Sequence, residues 1–230
     1  METGKTGKYL KYAIGEVVLV VIGILIALSI NNWNENKKLE KVEIKTLNEL
    51  KSDLVLSYND IKDDSLAFSR SKRANELIIH HIENKTPYHD SLNVHFRHLF
   101  HYATFSIVRT TYNNISQTGS NIISNDSIRL KLSVIYDRWA NLYKEMEERY
   151  LELHYSQNIN PMILKDLELN DNNISIPRDF EAFGNKNSNI QALKFSVGMF
   201  EEFMDTQKAF MIQIQTLVEL IGEEIIRLEQ

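Results

Sequence analysis

The sequence predicts an all-α protein: an N-terminal transmembrane helix that continues into a long stalk helix, followed by an antiparallel helical bundle domain. Three observations predict this fold. The segment Val17–Ile30 is almost entirely apolar, apolar residues recur every three or four positions along most of the remaining chain, and only 8 glycines and 3 prolines interrupt 230 residues. We therefore expect two parts, an anchor over residues 1–34 and a bundle over residues 35–230.

The composition restricts the classes of function. The chain is 43% hydrophobic and 25% charged, which is enough to form a core. A net charge of −5 without a basic stripe argues against nucleic acid as a partner. Cysteine is absent, and no hydrolase, zinc-protease or dinucleotide-binding motif occurs. The sequence thus favours a non-enzymatic protein without a cofactor that acts through contacts with a protein partner, as a scaffold, sensor or interaction subunit. The alternative is a helical bundle that senses a small ligand or a metal, with its site under residues 157–189 or at the histidines.

The length of the apolar segment favours a membrane span. Val17–Ile30 alone would be about 21 Å of helix, short of a hydrocarbon core of about 30 Å. The distance from Tyr12 to Trp33 along a helix is about 31 Å, and aromatic residues prefer the two membrane interfaces. The sequence therefore predicts a single-pass membrane protein, with lipid around this segment.

Two other interpretations of the segment remain open. Lys5, Lys8 and Lys11 followed by an apolar run, with small residues at Ala27-Leu28-Ser29, also fit a cleaved secretory signal. The glutamate ahead of the apolar run resembles a type IV pilin N-terminus, although no β-rich domain follows. The basic residues before the span predict a cytoplasmic N-terminus and a bundle outside the cytoplasm, but lysines after the span weaken this signal.

One face of the anchor helix predicts self-association. Glu16, Gly23 and Ala27 share this face, and two small residues four positions apart allow close helix packing. Glu16 lies within the apolar zone, where an unpaired carboxylate is costly. Either it reaches the headgroups beside Lys8 or Lys11, or it pairs with another chain in a homo-oligomer. In the second case the apolar face over residues 39–61 extends the contact into the stalk.

The apolar periodicity and the turn residues predict the order of the helices. The anchor is expected to continue over Asn31–Glu83 as one helix or as a helix with one kink, because no glycine or proline lies between Gly23 and Pro87. Residues 157–189, which contain two prolines and an Asn-rich run, are expected to form a long irregular loop with one helical turn around Met162–Leu167. The other predicted helices cover about Asp90–Ser106, a short segment from Thr110 or Thr111 to Gly119, a long segment capped by Asn125-Asp126, and about Ser188–Leu228.

Two segments resemble a known family. GKYLKYAIGEVVLVVIGILIALSINNWNENKK is similar to the opening of an uncharacterised, domain-of-unknown-function family of bacterial single-pass membrane proteins. TYNNISQTGSNIISNDSIRLKLSVIY resembles the second recurring block of that family. The resemblance implies a protein of a bacterial inner membrane with a helical domain, which places a bundle outside the cytoplasm in the periplasm. It implies no activity.

Histidines at three-residue spacing are weak candidates for a metal site. His95, His98 and His101 lie on one predicted helix, and a hairpin could bring His80 or Glu83 close. A metal needs ligands that converge on one point, and three successive steps of three residues rotate the side chains apart. Solvent-exposed or partner-facing histidines are the alternative, so we expect no metal.

A second cluster predicts either a helical corner or a small pocket. Gly119 is expected to end one helix and Asn125 to begin the next, with tyrosines packed over the corner. In the alternative, the corner encloses a pocket in which Arg129 receives an anion. The residues of this possible pocket are Thr111, Tyr112, Gly119, Asn125, Arg129 and Tyr136.

Overall fold

The computed structural model describes residues 3–99, 103–170 and 175–230, with side chains except at residues 3–13, 118 and 120. Of the described residues, 86% are helical and 3% lie in strands. The prediction of an all-α fold is confirmed.

Helix α1 runs without a break from Thr3 to Glu83, over 81 residues. At about 1.5 Å per residue it is about 120 Å long. The prediction that the apolar segment and the stalk form one helix is therefore confirmed. Large apolar side chains from Ile14 to Ile30 are exposed, whereas from Glu43 onward one face of α1 is buried in the bundle.

Within the described residues, seven further α-helices follow α1. The segment 126–166 is one continuous rod, in which α4, α5 and α6 alternate with π-helical stretches at Val134–Trp139, Glu147–Glu152 and Tyr155–Ile159. Short 3₁₀ turns lie at Asp90–Leu92 and Ser120–Ile122. The α-helices are α2 (Asn93–His98), α3 (Thr110–Thr118), α4 (Asp126–Ser133), α5 (Ala140–Met146), α6 (Asn160–Asp166), α7 (Phe180–Asn185) and α8 (Asn187–Leu228).

Several predicted boundaries are confirmed. Helix α3 ends at Thr118 and is capped by Gly119, whose φ of 111° is a conformation that glycine adopts far more readily than other residues. The side chain of Asn125 accepts hydrogen bonds from the backbone N–H groups of Ser127 and Ile128, which caps α4. Helix α8 begins one residue before the predicted start and ends at the predicted residue.

The prediction of a long irregular loop over 157–189 is wrong for the residues that the structure describes, although the helical turn expected around Met162–Leu167 coincides with α6. Residues 171–174 lie outside the described residues. The rod continues to Asp166, Leu167–Leu169 pairs antiparallel with Ser175–Pro177, and α7 follows. Pro161 does not end the rod because it lies in the first turn after the change from π to α geometry, where the hydrogen-bond ladder is already interrupted. Burial of Ile159, Met162, Leu167 and Phe183 in the core offsets the cost of ordering this segment.

Two further expectations need correction. The helix expected over Asp90–Ser106 ends at His98, and the described residues 103–109 form no helix. The stalk face over residues 39–61 is not free for another copy, because Leu47, Leu50, Leu54 and Ile61 are fully buried against the chain's own helices. At the start of that face, Leu39 and Val42 remain exposed.

The core contains two apolar clusters along the bundle. The near cluster, closer to the apolar segment, joins residues 47–61 of α1 to Ile128–Ala140 and to Phe210–Ile225 of α8. The far cluster joins Phe68–Ile79 of α1 to α2, the distal part of the rod and residues 192–203 of α8. Hydrogen bonds from His154 to Ser196 and between Tyr143 and Gln207 show that the rod and α8 run antiparallel.

Candidate functional site

A polar layer lies where the two apolar clusters meet. We use this name for Asp64, Tyr143, Glu147 and Gln207, which come from α1, the rod and α8. The Gln207 amide nitrogen donates a hydrogen bond of 2.8 Å to the Tyr143 hydroxyl. Glu147 Oε1 accepts a hydrogen bond of 2.8 Å from the backbone N–H of Phe105. Gln207 is fully buried and Glu147 is only 7% exposed, so these two side chains are shielded from water, whereas Asp64 is half-buried.

Burial and mutual repulsion favour the protonated forms of the two carboxyl groups. Burial raises the pKa of Glu147 to about 7. The hydrogen bond from the backbone N–H of Phe105 lowers this pKa in part, whereas the charge of Asp64 raises it further. Burial also raises the pKa of Asp64 to about 6, with contributions from Asp60 and Asp63. The layer can therefore take up or release a proton near neutral pH.

A buried histidine lies at the seam between the rod and α8. His154 Nε2 is 2.8 Å from Ser196 Oγ, and its Nδ1 is 3.2 Å from the amide nitrogen of Asn158. The amide donates to Nδ1, so Nε2 carries the proton and donates to Ser196, which in turn donates to the Ala192 carbonyl. Burial lowers the pKa of His154. This arrangement holds the imidazole neutral and fixes its tautomer.

The predicted corner divides into two hydrogen-bonded groups at opposite ends of α3. At the first end, the rings of Tyr112 and Tyr136 stack with centroids 4.2 Å apart and planes 8° from parallel. The Tyr112 hydroxyl donates to Asp137, and burial together with this bond raises its pKa to about 12. The backbone N–H of Thr111 donates to Asp53 on α1 over 2.9 Å. These contacts attach α3 to α1 and to the rod.

At the other end of α3, Arg129 is held by its own corner. Its guanidinium donates to the carbonyls of Ile123 and Ser124 and pairs with Asp126. Asn125 donates to Glu224 of α8 over 2.9 Å. The donors of Arg129 are thus directed to protein oxygens, which favours the interpretation as a packed corner.

An acidic residue of α1 holds the same corner. Glu43 Oε1 accepts hydrogen bonds from the backbone N–H and the hydroxyl of Ser124, at 2.7 and 2.8 Å. Because Glu43 is only 5% exposed, these bonds are protected from water. The corner therefore fixes α1 close to the point where it enters the bundle.

The candidate metal ligands that the structure describes do not come together as a metal site. His95 is half-buried on α2, and burial, His81 and Arg73 lower its pKa. His98 ends α2, and His101 lies outside the described residues. Within the described part of the chain, no group of three His, Cys, Asp or Glu side chains could hold a metal ion.

The predicted contact face of the anchor is open in the single chain. Gly23 has no atom within 4 Å of the position that a Cβ would take, and Glu16 and Ala27 are exposed. In the described ranges, α1 is the one helix long and apolar enough to cross a membrane. None of its most apolar segment is buried by the rest of the chain.

Sequence reasoning missed the polar layer and the buried His154. A signal was present for Gln207, which lies between Phe203 and Phe210 on the apolar stripe of α8. A polar residue on an apolar stripe indicates a buried polar contact. The partners across the bundle could not be found from one sequence, since Gln207 and Tyr143 are 64 residues apart.

These features define an all-helical protein with one long apolar N-terminal helix, a polar layer in its core and no described metal site. Residues 16–186 match a family of unknown function (DUF6090), and the chain belongs to this family. No curated protein matches the chain, and no solved structure does. The expected membership in a family of unknown function is confirmed.

Proposed function

We propose that this protein is a single-pass component of a bacterial inner membrane that acts through protein contacts rather than catalysis. The apolar part of α1 is the anchor, and the bundle is a scaffold or interaction subunit in the periplasm. Copies of the chain associate through the anchor face of Glu16, Gly23 and Ala27. The anchor, the location of the bundle and the association of copies depend on different properties of the chain, so each can be tested separately.

The exposure of the apolar segment supports the membrane anchor most directly. The large apolar side chains between Ile14 and Ile30 are 47% to 71% exposed, and the bundle begins more than ten residues later. A contiguous apolar surface of this size is unfavourable in water and needs lipid or another helix to cover it. Because α1 continues unbroken into the bundle, it holds the bundle at a fixed distance from the bilayer.

Membrane extraction tests the anchor. We expect the full chain to remain in the membrane pellet after alkaline carbonate washing, whereas a variant with Val21 and Leu25 replaced by Asp is released, because charged groups are costly in the hydrocarbon core. A matched variant, with Val55 and Leu56 replaced by Asp on the exposed face of the bundle, should stay in the pellet. Release of the wild-type chain by carbonate would contradict the anchor.

Protease accessibility in the same cells establishes the side of the membrane. Protease added to intact spheroplasts should degrade residues 40–230 if the bundle is periplasmic. Protection of these residues in intact spheroplasts, with degradation after lysis, would reverse the orientation and leave the anchor unaffected.

A cleft at the far end of the bundle supports a second candidate, the sensing of a small ligand. The cleft has a volume of about 570 Å³ and lies between the Thr86–Tyr88 turn and α7. His81, Lys85 and Glu181 supply charged or titratable groups, and the Tyr88 ring lies 5.4 Å from Phe180. A metal analysis of the purified chain and a thermal-shift screen of small anions test this candidate. Absence of any shift would leave the scaffold as the function.

A further inference from the structure

Two depressions lie end to end along the seam between the rod and α8. The first is bordered by exposed Tyr150, Leu153 and Phe195, and the second by Trp139, Leu142 and Gly198. Their volumes are about 670 and 550 Å³. Along α8 they extend from Ser188 to Ala209, which is about 32 Å of helix. We call this surface the seam groove.

Gly198 lies in the seam groove without an internal reason for being glycine. A glycine inside a helix costs about 1 kcal/mol relative to alanine. Close internal packing or a positive φ can require a glycine within a helix. Neither applies to Gly198, because a Cβ there would meet no atom within 4 Å and its φ is ordinary for a helix. The missing side chain thus leaves room on the outer surface, where another backbone can approach closely.

The groove has an apolar floor and an acidic rim. Trp139 stacks on Phe210 with ring centroids 5.6 Å apart, which fixes one wall. Leu142, Leu153 and Phe195 are 43%, 49% and 54% exposed. Glu201, Glu202 and Asp205 border the second depression, while Arg149, which borders the first, pairs with Glu145. The acidic rim would repel a second copy of the same surface and attract a basic partner.

We propose that the seam groove binds a basic amphipathic helix of another protein, with its apolar face on Phe195 and Leu142. This inference rests on the proposed function and gives the kind of partner that the bundle takes. The groove has the length of several helical turns, and Gly198 lets the backbone of the bound helix come close at the centre. Lysine or arginine side chains of that helix pair with Glu202 and Asp205.

The chain itself provides the reporter for a test. It contains 2 tryptophans, so in a Trp33→Phe background Trp139 is the only source of tryptophan emission. The full chain in phosphatidylcholine nanodiscs is titrated with a tryptophan-free leucine–lysine peptide of about five helical turns. We expect a saturating shift of Trp139 emission, and binding at least about tenfold weaker for a leucine–glutamate peptide of the same pattern.

Matched variants separate groove binding from adsorption of the peptide to lipid. Gly198→Leu, and separately Glu202→Gln with Asp205→Asn, should each weaken the response at least about tenfold. Gly222→Leu is the control, because only the tip of Lys51 is near Gly222 and the residue lies outside the groove. Circular dichroism establishes that each variant is folded, and the charge variant provides the test if Gly198→Leu is not.

Three results would overturn the proposal: no response of Trp139, equal binding of the two peptides, or equal binding by wild type and the charge variant. A shift of Trp139 emission with protein density alone, without peptide, would assign the groove to a second copy and also overturn it. Carbonate extraction is independent of all these readouts, so failure here leaves the membrane anchor intact.

Discussion

The Tyr143 hydroxyl accepts a hydrogen bond from the side-chain amide of Gln207, 2.8 Å away, between two apolar clusters of the core. Gln207 Oε1 has no hydrogen-bond partner among the described residues and is buried. A buried polar group that is only partly satisfied lowers stability, but it also penalises any sliding of α8 along the rod. The polar layer therefore aligns the helices at a cost in stability.

The pH dependence of stability should reveal the polar layer. Glu147 has a pKa of about 7 in the native state against an ordinary value of 4.5, because of burial. The native state binds more protons than the unfolded state within this window, so the contribution of Glu147 to stability falls as the pH rises through it. We expect Glu147→Gln to raise the free energy of unfolding at about pH 8 by at least about 1 kcal/mol, with a smaller effect at about pH 5.

Urea unfolding of both proteins at the two pH values measures this difference. The comparison with the variant is needed because His154, whose pKa is lowered, contributes in the opposite direction. Glu145→Gln, on the exposed surface of the same rod, is the control and should change neither value by more than about 0.5 kcal/mol. An equal effect of Glu147→Gln at both pH values would contradict the assignment.

Gly184 should tolerate no larger residue. A Cβ at this position would lie 2.8 Å from Cγ2 of Ile82, so α7 packs on α1 through the missing side chain. We expect Gly184→Ala to lower the free energy of unfolding by about 1–3 kcal/mol. In a chain that also carries Ile82→Ala, the same change should cost much less, because the clash is removed. Gly198→Ala, at an open helical site, should instead raise stability by up to about 1 kcal/mol.

Thermal and urea unfolding of these variants and the wild type test this contact. Equal destabilisation by Gly184→Ala with and without Ile82 would show that the cost does not come from this pair of residues.

Asn125 should matter for two separable reasons. It caps α4 through its amide oxygen and donates to Glu224 of α8 through its amide nitrogen. We expect Asn125→Ala to lower the free energy of unfolding by about 1–2 kcal/mol. Asn125→Ser keeps a capping oxygen and loses the bond to Glu224, so its cost should be smaller. Equal costs for the two substitutions, measured by urea unfolding, would assign the effect to Glu224 rather than to the cap.

The anchor face should control self-association. Gly23→Ile with Ala27→Ile should dissociate the oligomer in detergent, and Glu16→Gln should weaken it. The control is Val18→Ile with Leu25→Ile, because these residues lie on the opposite side of α1. Light scattering coupled to size exclusion gives the mass over a range of detergent concentrations. If wild type and the Gly23/Ala27 variant are both monomers throughout, the proposed association does not occur.

Long-range regularity in the sequence predicted the long helices well. The apolar stripe of α8 continues from Leu193 to Ile221, and both of these residues are fully buried. Asn125 and Gly119 gave two boundaries because capping depends on a few neighbouring residues. Where the structure is set by local chemistry or by one repeating pattern, the sequence was sufficient.

Segments that depend on distant contacts were not predicted. Residues 157–189 contain the turn-forming residues of a loop, yet Phe183 is buried and Asp166 pairs with Lys186 and Asn189. The π-helical stretches of the rod were not predicted either. The polar layer joins residues up to 143 positions apart along the chain, from Asp64 to Gln207, which no periodicity can indicate.

Because α1 is continuous, the number of residues between the anchor and the bundle determines how the bundle is rotated about the helix axis. From Ala27 to Leu47 the helix has no break, so the direction in which the bundle faces is coupled to the direction of the anchor. Inserting one residue after Trp33 would turn the bundle by about 100° and raise it by about 1.5 Å. Inserting seven would return it to within about 20° of its original bearing while raising it by about 10 Å. Neighbouring copies held by their anchors would thus tolerate a change in the distance of the bundle from the membrane far better than a rotation of the bundle about the axis of α1.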